Sequence, residues 1–126
     1  MNIAAQVLVV VAGLLHVLIF AMESVLFRQP KVHGRFFVRA DEVASVRPWA
    51  LNQGFYNLFL ALGALGGVVA VHVADRATAG AAIALFSVAC MLGAALVLLV
   101  TDRRMARAAV MQGTAPLLAL LCAAVF

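Results

Sequence analysis

Glu23 and His16 are an ionisable acid and base inside a stretch that is otherwise almost wholly apolar. They stand seven residues apart. On a regular helix that spacing puts them within roughly 20° of one face and about 10 Å apart along the axis, close enough for a bound molecule or a water chain to bridge them. Loss of water disfavours the charged form of either group, the condition under which a carboxyl and an imidazole can trade protons with a substrate. The chemistry this implies is cofactor-free acid–base work of the isomerase or hydrolase type, such as isomerisation, hydration or epoxide opening, with Glu23 and His16 as its catalytic candidates.

A second set of polar side chains offers groups to orient a ligand. Asn52, Gln53, Tyr56 and Asn57 fall within three helical turns, and Gln112 lies in another apolar stretch. Pro116 comes four residues after Gln112 and has no N–H, so the Gln112 carbonyl loses its helical donor and both backbone and side chain become available. Carboxamides in hydrocarbon need partners, and each other's company is the cheapest source. Interhelical glue is the competing role for the amides, and packing with the hydroxyl toward the headgroups is that for Tyr56.

Positioning these groups falls to four long apolar segments. The chain of 126 residues is 67% hydrophobic and 11% charged, with mean hydropathy +1.13, which leaves too little polar surface to coat a soluble globule. Roughly 20 helical residues span a hydrocarbon core of about 30 Å. The pattern therefore predicts an all-α, four-transmembrane-helix bundle in one domain, residues 1–126, with helices at about 3–27, 49–72, 78–100 and 108–126 and a loop over 28–47. The first segment lacks a basic leader and a cleavage signal, and is expected to stay as a helix. Asp41 is expected to cap a short interfacial helix that Pro48 ends at the start of the second span.

Charge gives the orientation. Of nine Lys and Arg, eight lie in 28–47 and 103–107 and one, Arg76, lies on the other side. The positive-inside rule then puts both basic loops in the cytoplasm, and the alternation of an up-down bundle puts both termini on the outer, periplasmic side of a bacterial inner membrane. The basic charge thus faces membrane lipid rather than nucleic acid. Glu23 can also anchor to Arg47 or Arg103 as a structural pair. Cys90 and Cys122 lack any metal-ligand spacing and are read as packing. Gly63 and Gly67 have the small-xxx-small spacing that serves either contact within the chain or a homo-oligomer seam.

HVLIFAMESVLF (16–27), NQGFYNLFLALG (52–63) and Gln112 with Pro116 resemble a bacterial family of small four-helix inner-membrane proteins of unknown function. The family pattern has Met after the glutamate and Trp at the close of the first motif, where this chain has Ser24 and Phe27. The resemblance implies a shared polar core and brings no activity or cofactor with it. From the residues, the leading expectation is a cytoplasm-facing intramembrane pocket for a lipophilic small molecule, with no metal or cofactor. A proton-coupled transporter and an accessory membrane protein are the alternatives. A phosphatase reporter fused at the C-terminus is expected to be active and a fluorescent one dark, with the reverse for fusions inside 28–47; the same result at both places contradicts this orientation.

Overall fold

The computed structural model describes residues 1–125, and among them it is all-α with no strand. Helix α1 spans Ile3–Phe20 and runs on as a π-helical turn over Ala21–Val25. A four-residue helix α2, Pro30–His33, and a 3-10 turn, Gly34–Phe36, fold the long loop. Helices α3 (Val43–Val71), α4 (Ala77–Thr101) and α5 (Ala106–Val125) follow, α5 behind a 3-10 turn at Arg103–Met105. Four helical spans, Ile3–Val25, Val43–Val71, Ala77–Thr101 and Arg103–Val125, are long and apolar enough to cross a membrane.

Two local expectations fail at the start of α3. There is no separate interfacial helix ending at Pro48, because α3 begins at Val43 and passes straight through the proline. The loss is confined to one bond, that of the Ala44 carbonyl, close to the helix end where water or headgroups can satisfy it. Nor does Asp41 cap the helix. Its carboxylate accepts two bonds from the Arg39 guanidinium, at 3.0 and 2.7 Å, which hold it below the usual carboxylate range, and the cap position is Glu42.

Around the bundle α1 packs against α3 and α5, and α4 packs against the same two, so that α1 and α4 face each other across a diagonal with little contact. The interior is built of small residues. Ala5, Ala12, Ala61, Ala64, Ala84 and Ala119 are fully enclosed, whereas Val7, Leu14, Leu18, Phe59, Leu62, Phe86, Val97 and Leu121 stand exposed on the outside. Small side chains within and large apolar ones without reverse the order of a water-soluble domain, and suit helices that gain by close backbone approach and present their bulk to lipid.

The tightest approach is between α3 and α4. A methyl group added to Gly67 would meet the Ala84 nitrogen at 2.6 Å and the Gly80 oxygen at 2.7 Å, and one on Gly80 would meet the Val71 nitrogen at 2.6 Å. A methyl on Gly63 would strike the Ser87 hydroxyl. The Gly63/Gly67 stripe therefore packs against α4 of the same chain, the first of the two roles its spacing allows. Backbone atoms cannot yield as side chains can, so Gly80→Val is expected to cost more than the roughly 1–3 kcal/mol of ordinary overpacking. Gly66→Val, in open space, is expected to leave steric-trapping stability in bilayers within about 0.5 kcal/mol of the parent; equal losses for the two would show that this crossing is not tight.

Candidate functional site

Polar side chains join the end of α1 to α3. The Ser24 hydroxyl donates to the Leu51 carbonyl at 3.0 Å, and Gly54 leaves room for it, since a methyl there would collide with Ser24 Oγ and press on Glu23 Cβ at 3.1 Å. One turn further along α3, Asn57 Nδ2 donates to Glu23 Oε2 at 2.7 Å and to the Gln53 carbonyl at 3.2 Å. Both amide protons of Asn57 have a partner, which leaves Asn57 Oδ1 and Glu23 Oε1 free to address something else. The pairing of Glu23 with Arg47 or Arg103 is absent, and the carboxyl turns to the carboxamide instead.

Beside this pair lies a cavity of about 270 Å³ among α1, α3, α4 and α5. Glu23, Gln53, Asn57 and Gln112 supply its polar wall, and Leu15, Ile19, Met22, Leu98, Met105 and Met111 are among the apolar residues that complete it. Phe36 closes it from the loop. Glu23, Gln53 and Phe36 also line a more open cleft of about 360 Å³ together with Asn52 and Trp49, so these three residues stand between the inner cavity and the outside. Phe36 is held by a tilted contact with Phe27, ring centres 5.9 Å apart, while the left-handed Phe37 (φ 57°) lies under the Arg104 guanidinium at 5.4 Å. His33 fixes the same loop by donating from Nδ1 to the Val38 carbonyl at 2.7 Å.

The seven candidates thus separate. Glu23, Gln53, Asn57 and Gln112 line one cavity, and Asn52 lies in the outer cleft. Tyr56 is 56% exposed on the outer surface and lines neither hollow. His16 is enclosed at 1% exposure but is not among the cavity's lining residues; its Nδ1–H donates to the Ala12 carbonyl at 2.9 Å, so in the neutral ring Nε2 carries the lone pair. The π turn accounts for the parting of His16 from Glu23. Its bonds run five residues back, as from the Leu26 N–H to the Ala21 carbonyl at 2.9 Å, so each residue turns by less than the regular 100° and Glu23 falls off the His16 face.

Phe36 and Met105 are wall residues that the sequence reading did not single out. Both sit in segments read as surface connections, and only their apolar character amid charged neighbours marked them. Among the described residues no group of three or more His, Cys, Asp or Glu is placed to hold a metal. A family model described as "Protein of unknown function (DUF1304)" matches residues 10–124. No curated protein and no solved structure matches the chain.

The fit at Gly54 carries the geometry of the site. Gly54→Val is expected to push α3 off the π turn and break the Asn57–Glu23 bond, lowering bilayer stability by roughly 2 kcal/mol. Cysteine pairs placed at Met22 and Gln53 should lose their ready crosslinking in that variant; an unchanged crosslinking rate would show that the glycine does not set the approach.

Proposed function

The chain belongs to the DUF1304 family, whose function is unknown, and from that premise we propose that it is a membrane protein whose cavity binds, and acts by proton transfer on, a small lipophilic molecule bearing a hydroxyl, amide or carbonyl group. The observation that carries this reading is the hydrogen-bonded Glu23–Asn57 pair, which opens with Gln53 and Gln112 onto an otherwise apolar hollow. Ligand sites characteristically combine an apolar wall with a few convergent polar groups. At about 270 Å³ the hollow lies just below the range of drug-sized sites, roughly 300–1,000 Å³, so it takes a compact molecule or one end of a chain.

Glu23 is the proton carrier in this proposal, and Asn57 orients its carboxyl while presenting Oδ1 to the ligand. Gln53 and Gln112 hold the ligand's polar group from the other helices. Asn52, in the outer cleft, meets the ligand on the way in. His16 and Tyr56 act in packing and anchoring, away from the reacting atoms.

The setting we propose is the inner membrane of a bacterium, with α1, α3, α4 and α5 alternating up and down and both termini on the periplasmic face. Support comes from both ends of the bundle. Asn2 Nδ2 donates to the Cys122 carbonyl at 2.8 Å and His72 Nε2 donates to Gln6 Oε1 at 2.7 Å, gathering the start of α1 with the ends of α3 and α5. At the other end the basic loops meet through Phe37 and Arg104. The eight-to-one division of Lys and Arg favours a cytoplasmic position for that second end and for the mouth of the cavity near it.

Photolabelling with a diazirine-bearing octanol in nanodiscs tests the site. Peptides containing Met22, Met105 or Met111 should carry label in the parent and severalfold less in Glu23→Leu/Asn57→Leu, while Tyr56→Phe labels as the parent does. Label spread over the outer face, or unchanged by the double variant, would remove the cavity as a binding site.

A further inference from the structure

A separate hollow of about 480 Å³ lies where the segment after the π turn meets the start of α3, lined by Arg28, Ala40, Val43, Ala44, Arg47 and Pro48. It shares no residue with the Glu23 cavity. We propose that it binds the phosphodiester headgroup of an anionic phospholipid, held by Arg28 and Arg47.

Three features of the hollow carry the inference. The carboxylates next to it along the chain are engaged elsewhere: Asp41 with the Arg39 side chain and Glu42 with the Arg39 backbone N–H at 3.0 Å. Among the described residues neither Arg28 nor Arg47 has a carboxylate within salt-bridge distance, so two cations line one recess with no protein anion to neutralise them. A guanidinium pair is the donor set suited to a phosphate, which it can engage through paired N–H bonds.

Pro48 supplies the second feature. It lacks an N–H, so the Ala44 carbonyl has no donor four residues on, and both residues line the recess. An acceptor beside two cations fits a headgroup that carries a hydroxyl next to its phosphate, as a glycerol headgroup does.

Depth is the third. The 29 residues of α3 extend about 43 Å, some 13 Å more than the hydrocarbon core. Its first turns, with Arg47, therefore reach the headgroup layer, and Trp49 and Val25, 76% and 67% exposed, lie next along the sequence to meet the acyl chains. That flanking apolar surface favours a lipid over a free anion.

Trp49 is the single tryptophan of the chain and, exposed two residues after Arg47, reports on acyl chains beside the recess. In phosphatidylcholine nanodiscs, phosphatidylglycerol with brominated chains is expected to quench it at a low mole fraction, whereas brominated phosphatidylcholine is not. Arg28→Gln/Arg47→Gln should raise the half-quenching mole fraction about tenfold or more, as two interfacial cations at about 1 kcal/mol each would give. Where that variant fails to insert as a helical protein, Arg47→Gln alone should give about a fivefold rise. Arg103→Gln/Arg107→Gln, which removes the same charge elsewhere, should leave it unchanged. Equal loss in the two double variants, equal quenching by the two lipids, or relief of quenching by millimolar inorganic phosphate would each overturn the proposal.

Discussion

A carboxyl group in hydrocarbon must find a partner or leave, and in this chain the partner of Glu23 is Asn57. The other features of the site follow from bringing those two side chains within 2.7 Å. Ser24, next to the glutamate, bonds the α3 backbone, and Gly54 removes the one side chain that would keep the helices apart there. The π turn at Ala21–Val25 widens α1 just where Glu23 must leave its own helix face and reach across. A regular helix would have carried Glu23 on below His16.

The same economy shapes the bundle. With no hydrophobic force between helices in lipid, adhesion comes from close packing of small residues, and α3 and α4 touch almost backbone to backbone at Gly67 and Gly80. The hollow lined by Glu23, Asn57, Gln53 and Gln112 lies toward the other end of the same two helices, where α1 and α5 also wall it. Its cover comes from the loop, through Phe36, and from the turn before α5, through Met105. The contact of Arg104 with the strained Phe37 ties those two covers together.

Much of this was legible in the sequence, because long apolar runs can only be helices and misplaced polar residues can only be costly. Four apolar helical spans are present, the second and fourth starting about six and five residues before the positions read from the sequence, and four of the seven flagged side chains share a cavity. What escaped were the features that depend on small departures from regularity. Counting 100° per residue from His16 to Glu23 hid the π turn, and treating Pro48 as a stop ignored how little one missing bond costs at a helix end. Spacing alone did not say which neighbour fills the Gly63/Gly67 stripe. Asn52 and Tyr56 share a helix face arc with Asn57, yet only the rotation of α3 about its axis decides which of them points inward.

The central claim is that Glu23 and Asn57 are energetically joined inside the membrane, and a double-mutant cycle measures that without knowledge of any ligand. Unfolding free energies of the parent, Glu23→Leu, Asn57→Leu and the double variant, obtained by steric trapping in bilayers, are predicted to give a coupling of about 1 kcal/mol. A coupling indistinguishable from zero would contradict the account.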